Sequence, residues 1–150
     1  MSDDFEAYEQ ACKKIRESNE KLLSQFEDWL LKKNLVPKTV DKHIGNIDFY
    51  INEFLLYEDA LQPEQGAHSV DMFLGYWFIK KAMWASESSI KSNAASLKKF
   101  YTFMQEIGRI DEEDLEDLKT TIKDNMNDWI ATLRRYDDPS ITNMADVWGL

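Results

Sequence analysis

From Phe5 onward apolar side chains return every three or four residues, at Phe5, Tyr8, Cys12, Ile15, Leu22, Phe26 and Trp29, with Asn19 on the same seam. This is a heptad pattern of about four repeats along one long helix. It reads either as a seam for a partner helix, with Asn19 fixing the register, or as a first core helix over residues 22–31 whose N-terminal half packs on a neighbour. Asn34 marks a stop, and Pro37 suits the first turn of a second helix spanning residues 37–57. There Val40, Ile44, Ile47, Ile51, Phe54 and Leu55 form the buried side, while Lys38, Lys42 and Asn46 face elsewhere. Residues 58–68, with Pro63 and Gly66, predict a loop. Ser69 then caps a short helix whose Val70, Met72, Phe73, Tyr76, Trp77, Ile79 and Met83 are apolar nearly all round, as for a helix enclosed by others. With no phosphate loop or ligand set beside them, its aromatic residues read as packing.

The next stretch, SESSIKSNAASLKKFYTFMQEIGRI, carries the clearest pattern. Ile90, Ala94, Leu97, Tyr101 and Met104 form one stripe that must be buried, Ser86 is a good N-cap, and Gly108 suits a C-terminal residue with positive φ. The spacing predicts a helix over 87–107. On its other side Lys91, Ala95, Lys98 and Thr102 form a second stripe, flanked by Ser92 and Lys99. Small side chains between lysines suit close approach to a phosphate backbone; the plainer reading is a solvated helix face. Beyond Gly108, the acids Asp111, Glu112, Glu113 and Asp114 stand where the helix dipole favours negative charge. Leu115, Leu118, Ile122, Met126, Trp129, Ile130 and Leu133 then predict a helix to about residue 136. Asp138, Pro139 and Ser140 reset the chain, and ITNMADVWGL predicts a short amphipathic helix.

The pattern is thus all-α, five or six helices in a single domain over 1–150, with an acidic C-terminal helix and tail over 111–150. At 150 residues the chain can bury a sizeable core, and a 43% hydrophobic share with five glycines and three prolines fits a helical globule. The one cysteine, Cys12, forms no internal bridge, and no long apolar run predicts a leader or a membrane span, so a cytoplasmic location is expected. The formal charge of −10 argues against nucleic acid until it is divided: −4 over residues 1–30, +1 over 31–110 and −7 over 111–150. The acidity lies at the ends. Even so, the middle lacks the basic excess usual in a dedicated DNA binder.

The run SIKSNAASLKKFYTFMQEIGRI resembles the last core helix of the SAM-like core-binding domain of phage integrases and other tyrosine recombinases, with Leu97, Lys99, Phe100, Tyr101, Phe103, Gly108 and Ile110 at the matching places. Upstream, FEDWLLKKNLVPKTVDKHIGNIDFYINEFL is similar to that family's first two helices through Phe26, Trp29, Leu30, Pro37, Thr39 and Val40. The resemblance covers residues 22–110. It departs at His43, where an aromatic such as tyrosine is common, and at Gly45. It implies an orthogonal bundle with extended terminal helices, and a non-catalytic module that binds double-stranded DNA in recombination or integration. Lys38, Lys42, Lys91, Lys98 and Lys99 would then contact phosphates, and Thr39, Asn46, Ser92 and Asn93 phosphates or base edges.

The family's catalytic chemistry is not in this sequence. Its His-x-x-Arg motif finds no counterpart, since His43 is followed by Ile-Gly-Asn and His68 by Ser-Val-Asp, and Arg16, Arg109, Arg134 and Arg135 stand in no such arrangement. With no zinc or calcium spacing and no phosphate loop, no enzymatic activity, cofactor, metal or small-molecule substrate is expected. His43 reads as a structural ring at a packing edge. The competing function is a protein-interaction or dimerisation module that no longer binds DNA, in which the acidic terminal helices pair two copies or hold a partner such as a recombinase.

Overall fold

The computed structural model describes residues 2–138, and the expected ITNMADVWGL helix lies outside them. The helices are α1 (Ser2–Lys32), α2 (Pro37–Asp48), α3 (Val70–Met72), α4 (Phe78–Lys81), α5 (Glu87–Glu106) and α6 (Glu112–Asp137). Among the described residues there is no strand. The all-helical bundle is therefore the fold that the periodicity predicts, and one hydrophobic cluster runs from Leu22 on α1 to Leu133 on α6. No helix among the described residues is long and apolar enough to cross a membrane.

The α1 seam is consumed by its own chain. Of the predicted seam Cys12, Ile15, Asn19, Leu22 and Phe26 are buried, Tyr8 and Trp29 are half-buried with Leu30 buried beside Trp29, and Phe5 at the N-terminal end is 60% exposed. Cys12 and Ile15 cluster with Leu56, and the Tyr8 hydroxyl donates to the Leu56 carbonyl and, at 3.2 Å, to that of Tyr57. Asn19 donates to Asn52 Oδ1 at 2.8 Å and to the Ile51 carbonyl at 3.4 Å. A buried asparagine thus fixes register here within one chain, and the reading of α1 as an extended first core helix is the one that holds.

Asn34 does end α1, at φ 64°, and Pro37 opens α2. The second helix departs from expectation at its far end: α2 stops at Asp48 and the chain continues as a π turn, Phe49–Phe54, closed by Leu55 N–H donating to the Tyr50 carbonyl at 3.0 Å. Widening the turn admits an extra residue, which keeps Tyr50, Ile51 and Leu55 all buried. The Tyr50 and Phe54 rings stack at 5.4 Å, and both meet Phe73. A second π turn, Phe73–Trp77, joins α3 to α4 and supplies Phe73 and Trp77 to the same aromatic cluster. Ser69 stands at the start of α3, but its side chain makes no capping bond. Nor is this stretch enclosed all round: Phe73, Leu74, Phe78 and Ile79 are buried, whereas Met72 and Tyr76 are exposed and Met83, in the turn beyond α4, is 99% exposed.

The expected loop over 58–68 contains a 3-10 turn, Pro63–His68. It is pinned from beneath by two buried tyrosines, Tyr50 donating to the Gly66 carbonyl at 2.6 Å and Tyr101 to that of Pro63 at 2.7 Å. Burial raises the pKa of both phenols well above 10, so neither ionises near neutral pH. A Cβ on Gly66 would collide with the Tyr101 hydroxyl and lie 2.8 Å from Leu55 Cδ1. Gly66→Ala is therefore expected to destabilise the fold by about 1–3 kcal/mol in urea unfolding, the range for overpacking; unchanged stability would contradict the pinned turn.

Candidate nucleic-acid interface

The sequence-predicted residues fall on α2 and α5, which pack on each other and on α1. Helix α5 is set by Ser86, whose hydroxyl accepts from Ser89 N–H at 3.0 Å while Ser86 N–H donates to Ser89 Oγ at 2.7 Å. Its far end turns at Gly108 with φ 78°. Between these limits Ile90, Ala94, Leu97, Tyr101 and Met104 are all buried. Lys91 and Lys98 are consequently exposed, and Ala95, Lys99 and Thr102 are half-buried on the other side.

The polar candidates divide by what they bind. Asn46 Nδ2 donates to Ser96 Oγ at 2.9 Å and to Ser92 Oγ at 3.1 Å, while His43 Nδ1 lies 2.7 Å from Ser96 Oγ. Four side chains thus clasp α2 to α5. Ser96 is fully buried and His43 nearly so. Burial first, then the neighbouring Lys99 and Lys42, lower the His43 pKa. A neutral ring with its proton on Nε2 satisfies the clasp: Ser96 takes a hydrogen from Asn46 and gives its own to Nδ1. His43 is thus a structural ring at the helix contact, as the sequence suggests. Asn93 is buried and donates to the Ser89 carbonyl at 2.8 Å, within its own helix. Asn46, Ser92 and Asn93 are therefore engaged in holding α5, and Thr39 is half-buried near the start of α2.

The lysines divide as well. Lys91 lies 3.2 Å from Glu87, which also holds Arg134 from α6 at 3.2 Å. The Lys91 contact foremost, then Arg134, lowers the Glu87 pKa. Lys38, Lys42, Lys98 and Lys99 make no ion pair among the described residues, and Lys98 and Lys99 adjoin Trp29, which the sequence marks as a seam residue, and through it Lys33, which the sequence does not single out. Lys33, at the end of α1, sits over the Trp29 ring at 5.0 Å. Trp29, Ala95, Lys98, Lys99 and Thr102 line one shallow cleft between α1 and α5. Lys99 and Lys42 both lie close enough to act on His43. Lys33 thus adjoins Lys98 and Lys99 through Trp29, and Lys99 adjoins Lys42 through His43, with Lys38 one turn earlier on α2; α2, α5 and the turn after α1 bring these lysines together. Lys33 was legible as the i+4 neighbour of Trp29; Ser96 was hidden, because a small polar residue on a helix says little until its partner helix is known.

What this face offers chemically is a set of ammonium groups around small side chains, suited to phosphate oxygens. The far side differs, since His68 Nε2 lies 2.8 Å from Asp114 Oδ1 and lowers that carboxyl's pKa. The clasp also makes stability depend on pH. The folded-state pKa of His43 lies below its ordinary 6.5, so as pH falls the unfolded chain binds the proton first; stability is full above 6.5 and is lost as pH falls through the folded value. Between about pH 7.5 and pH 5 the unfolding free energy of the wild type should therefore fall more than that of His43→Gln, and equal losses would contradict a neutral clasp.

Comparison of the chain with protein-family models, with curated proteins and with solved structures found no match.

Proposed function

We propose that this chain is a non-catalytic module that binds double-stranded DNA through the basic face of α1, α2 and α5, in the manner of the SAM-like core-binding arm that residues 22–110 resemble. The observation that carries this reading is the set of five lysines, Lys33 in the turn after α1, Lys38 and Lys42 on α2, and Lys98 and Lys99 on α5, making no ion pair among the described residues. Unpaired ammonium groups on one face repel each other, and phosphates relieve that repulsion while releasing counterions. Ala95 and Thr102, between the lysines, keep the surface low enough for a backbone to approach. Asn46 and Ser92 support the face from beneath by fixing α5, a role in place of the direct phosphate or base contact that the resemblance implies. Lys91, neutralised by Glu87, contributes least.

The overall charge of −10 favours a second reading, in which duplex is not bound and the module holds a protein partner. Fluorescence anisotropy on a random duplex separates the two. At about 50 mM salt the first reading predicts a Kd near 10⁻⁶ M that weakens steeply with added salt. Lys98→Ala and Lys99→Ala should each lower the salt slope by about 1, whereas Lys91→Ala should change it little. Absence of binding at low salt, or equal effects at all three positions, would leave the second reading standing.

A further inference from the structure

Away from the lysine face, two grooves adjoin across a ridge made by Met72 and Tyr76, which line both. The first has a volume of about 410 Å³ and is walled by Phe54, Tyr57 and Trp77, with Glu58 and Asp59 at its edge. The second, about 510 Å³, is bordered by Asp71 and Asp128 beside Trp129. Met72 is 59% exposed and Tyr57 52%, so the methionine of the ridge and one wall present apolar surface to solvent. No lysine or arginine of the basic face lines either groove.

The π turns are the reason the aromatic wall exists. Phe54 ends the first and Trp77 ends the second, and the widened turns bring the two rings to 5.3 Å, with Tyr57 a further 5.6 Å from Trp77. The indole N–H of Trp77 is buried without an acceptor among the described residues, an unmet donor in the wall of the first groove. Around this apolar centre Glu58, Asp59, Asp71 and Asp128 make no ion pair among the described residues, and of the four Asp71 accepts a hydrogen bond from the Trp129 indole at 2.7 Å. The rim already handles cations: Lys80 lies over the Tyr76 ring at 5.4 Å and Lys81 over that of Tyr57 at 5.3 Å.

We infer that this double groove is a docking surface for a protein partner, and that the occupant is an apolar segment flanked by lysines or arginines, such as one face of a basic amphipathic helix. Charge complementarity selects it, because two carboxylates line each groove and no lysine or arginine does, Lys80 and Lys81 standing only at the rim, and an exposed methionine ridge adapts to varied apolar anchors. Two grooves in line favour an elongated occupant over a single small cation. The surface is separate from the lysine face, so it stands whether or not that face binds DNA.

A fluorescently labelled amphipathic peptide of leucine and lysine, with a leucine and glutamate peptide of equal length as control, tests this on the full chain. The leucine and lysine peptide should bind with a Kd of about 10⁻⁶–10⁻⁵ M and the control should not. Met72→Glu should weaken binding about tenfold. Glu58→Lys with Asp59→Lys should weaken it far more than Glu27→Lys with Asp28→Lys, which changes the net charge equally on exposed positions outside both grooves. No binding, equal binding of both peptides, or equal loss from the two charge-reversed pairs would overturn the assignment.

Discussion

The burial of one face of α5 between α2 and α6 is the constraint on which the molecule turns. Ile90, Ala94, Leu97, Phe100, Tyr101 and Met104 have no route to solvent, and each large side chain among them contributes about 1.5–3 kcal/mol by leaving water. Because that stripe is fixed inward, the lysines on the opposite side are fixed outward, and Tyr101 at the far end of the stripe fastens the 3-10 turn. The same burial therefore builds the core and presents the surface.

Polar contacts then choose among the registers open to apolar helices. The clasp of His43, Asn46, Ser92 and Ser96 allows one register between α2 and α5, and Asn19 does the same between α1 and the first π turn. Trp129 adds a third lock, donating to Asp71 at 2.7 Å while its ring lies against Gly75. Each lock is a buried polar group whose partners exist only in the correct arrangement, since a lost partner would leave the group unpaired at a cost of about 1–3 kcal/mol. Specificity is thus spread over three interfaces. The electrostatics follow the same division: lysines collect where α1, α2 and α5 meet, and acids dominate α6 and the opening turns of α1, at Asp3, Asp4, Glu6 and Glu9.

Much of this was legible in the sequence wherever a single helix carried its own signal. The stripe of α5, its Ser86 cap, its Gly108 end, the Asn34 stop and the Asp111 start all follow from residue type and spacing, and each stands where the pattern puts it. Features that depend on two segments at once were not legible. The π turns at Phe49–Phe54 and Phe73–Trp77 have no local marker, because the extra residue is admitted by the fit of Tyr50, Phe54 and Phe73 against one another. Asn46, Ser92 and Asn93 are polar residues on a basic helix pair, and the sequence does not show that Asn46 bonds Ser92 across the two helices or that Asn93 bonds the Ser89 carbonyl of its own helix. Met72 and Tyr76 mislead in the opposite sense, being apolar yet exposed.

A titration of the isotope-labelled chain with a short duplex, followed by amide chemical shifts, reads the central claim residue by residue. The account predicts shifts that cluster at the end of α1, on α2 and along the outer side of α5, around Lys33, Lys38, Lys42, Lys98 and Lys99, with α6 nearly silent. Shifts scattered over the molecule, or centred on α6, would contradict it.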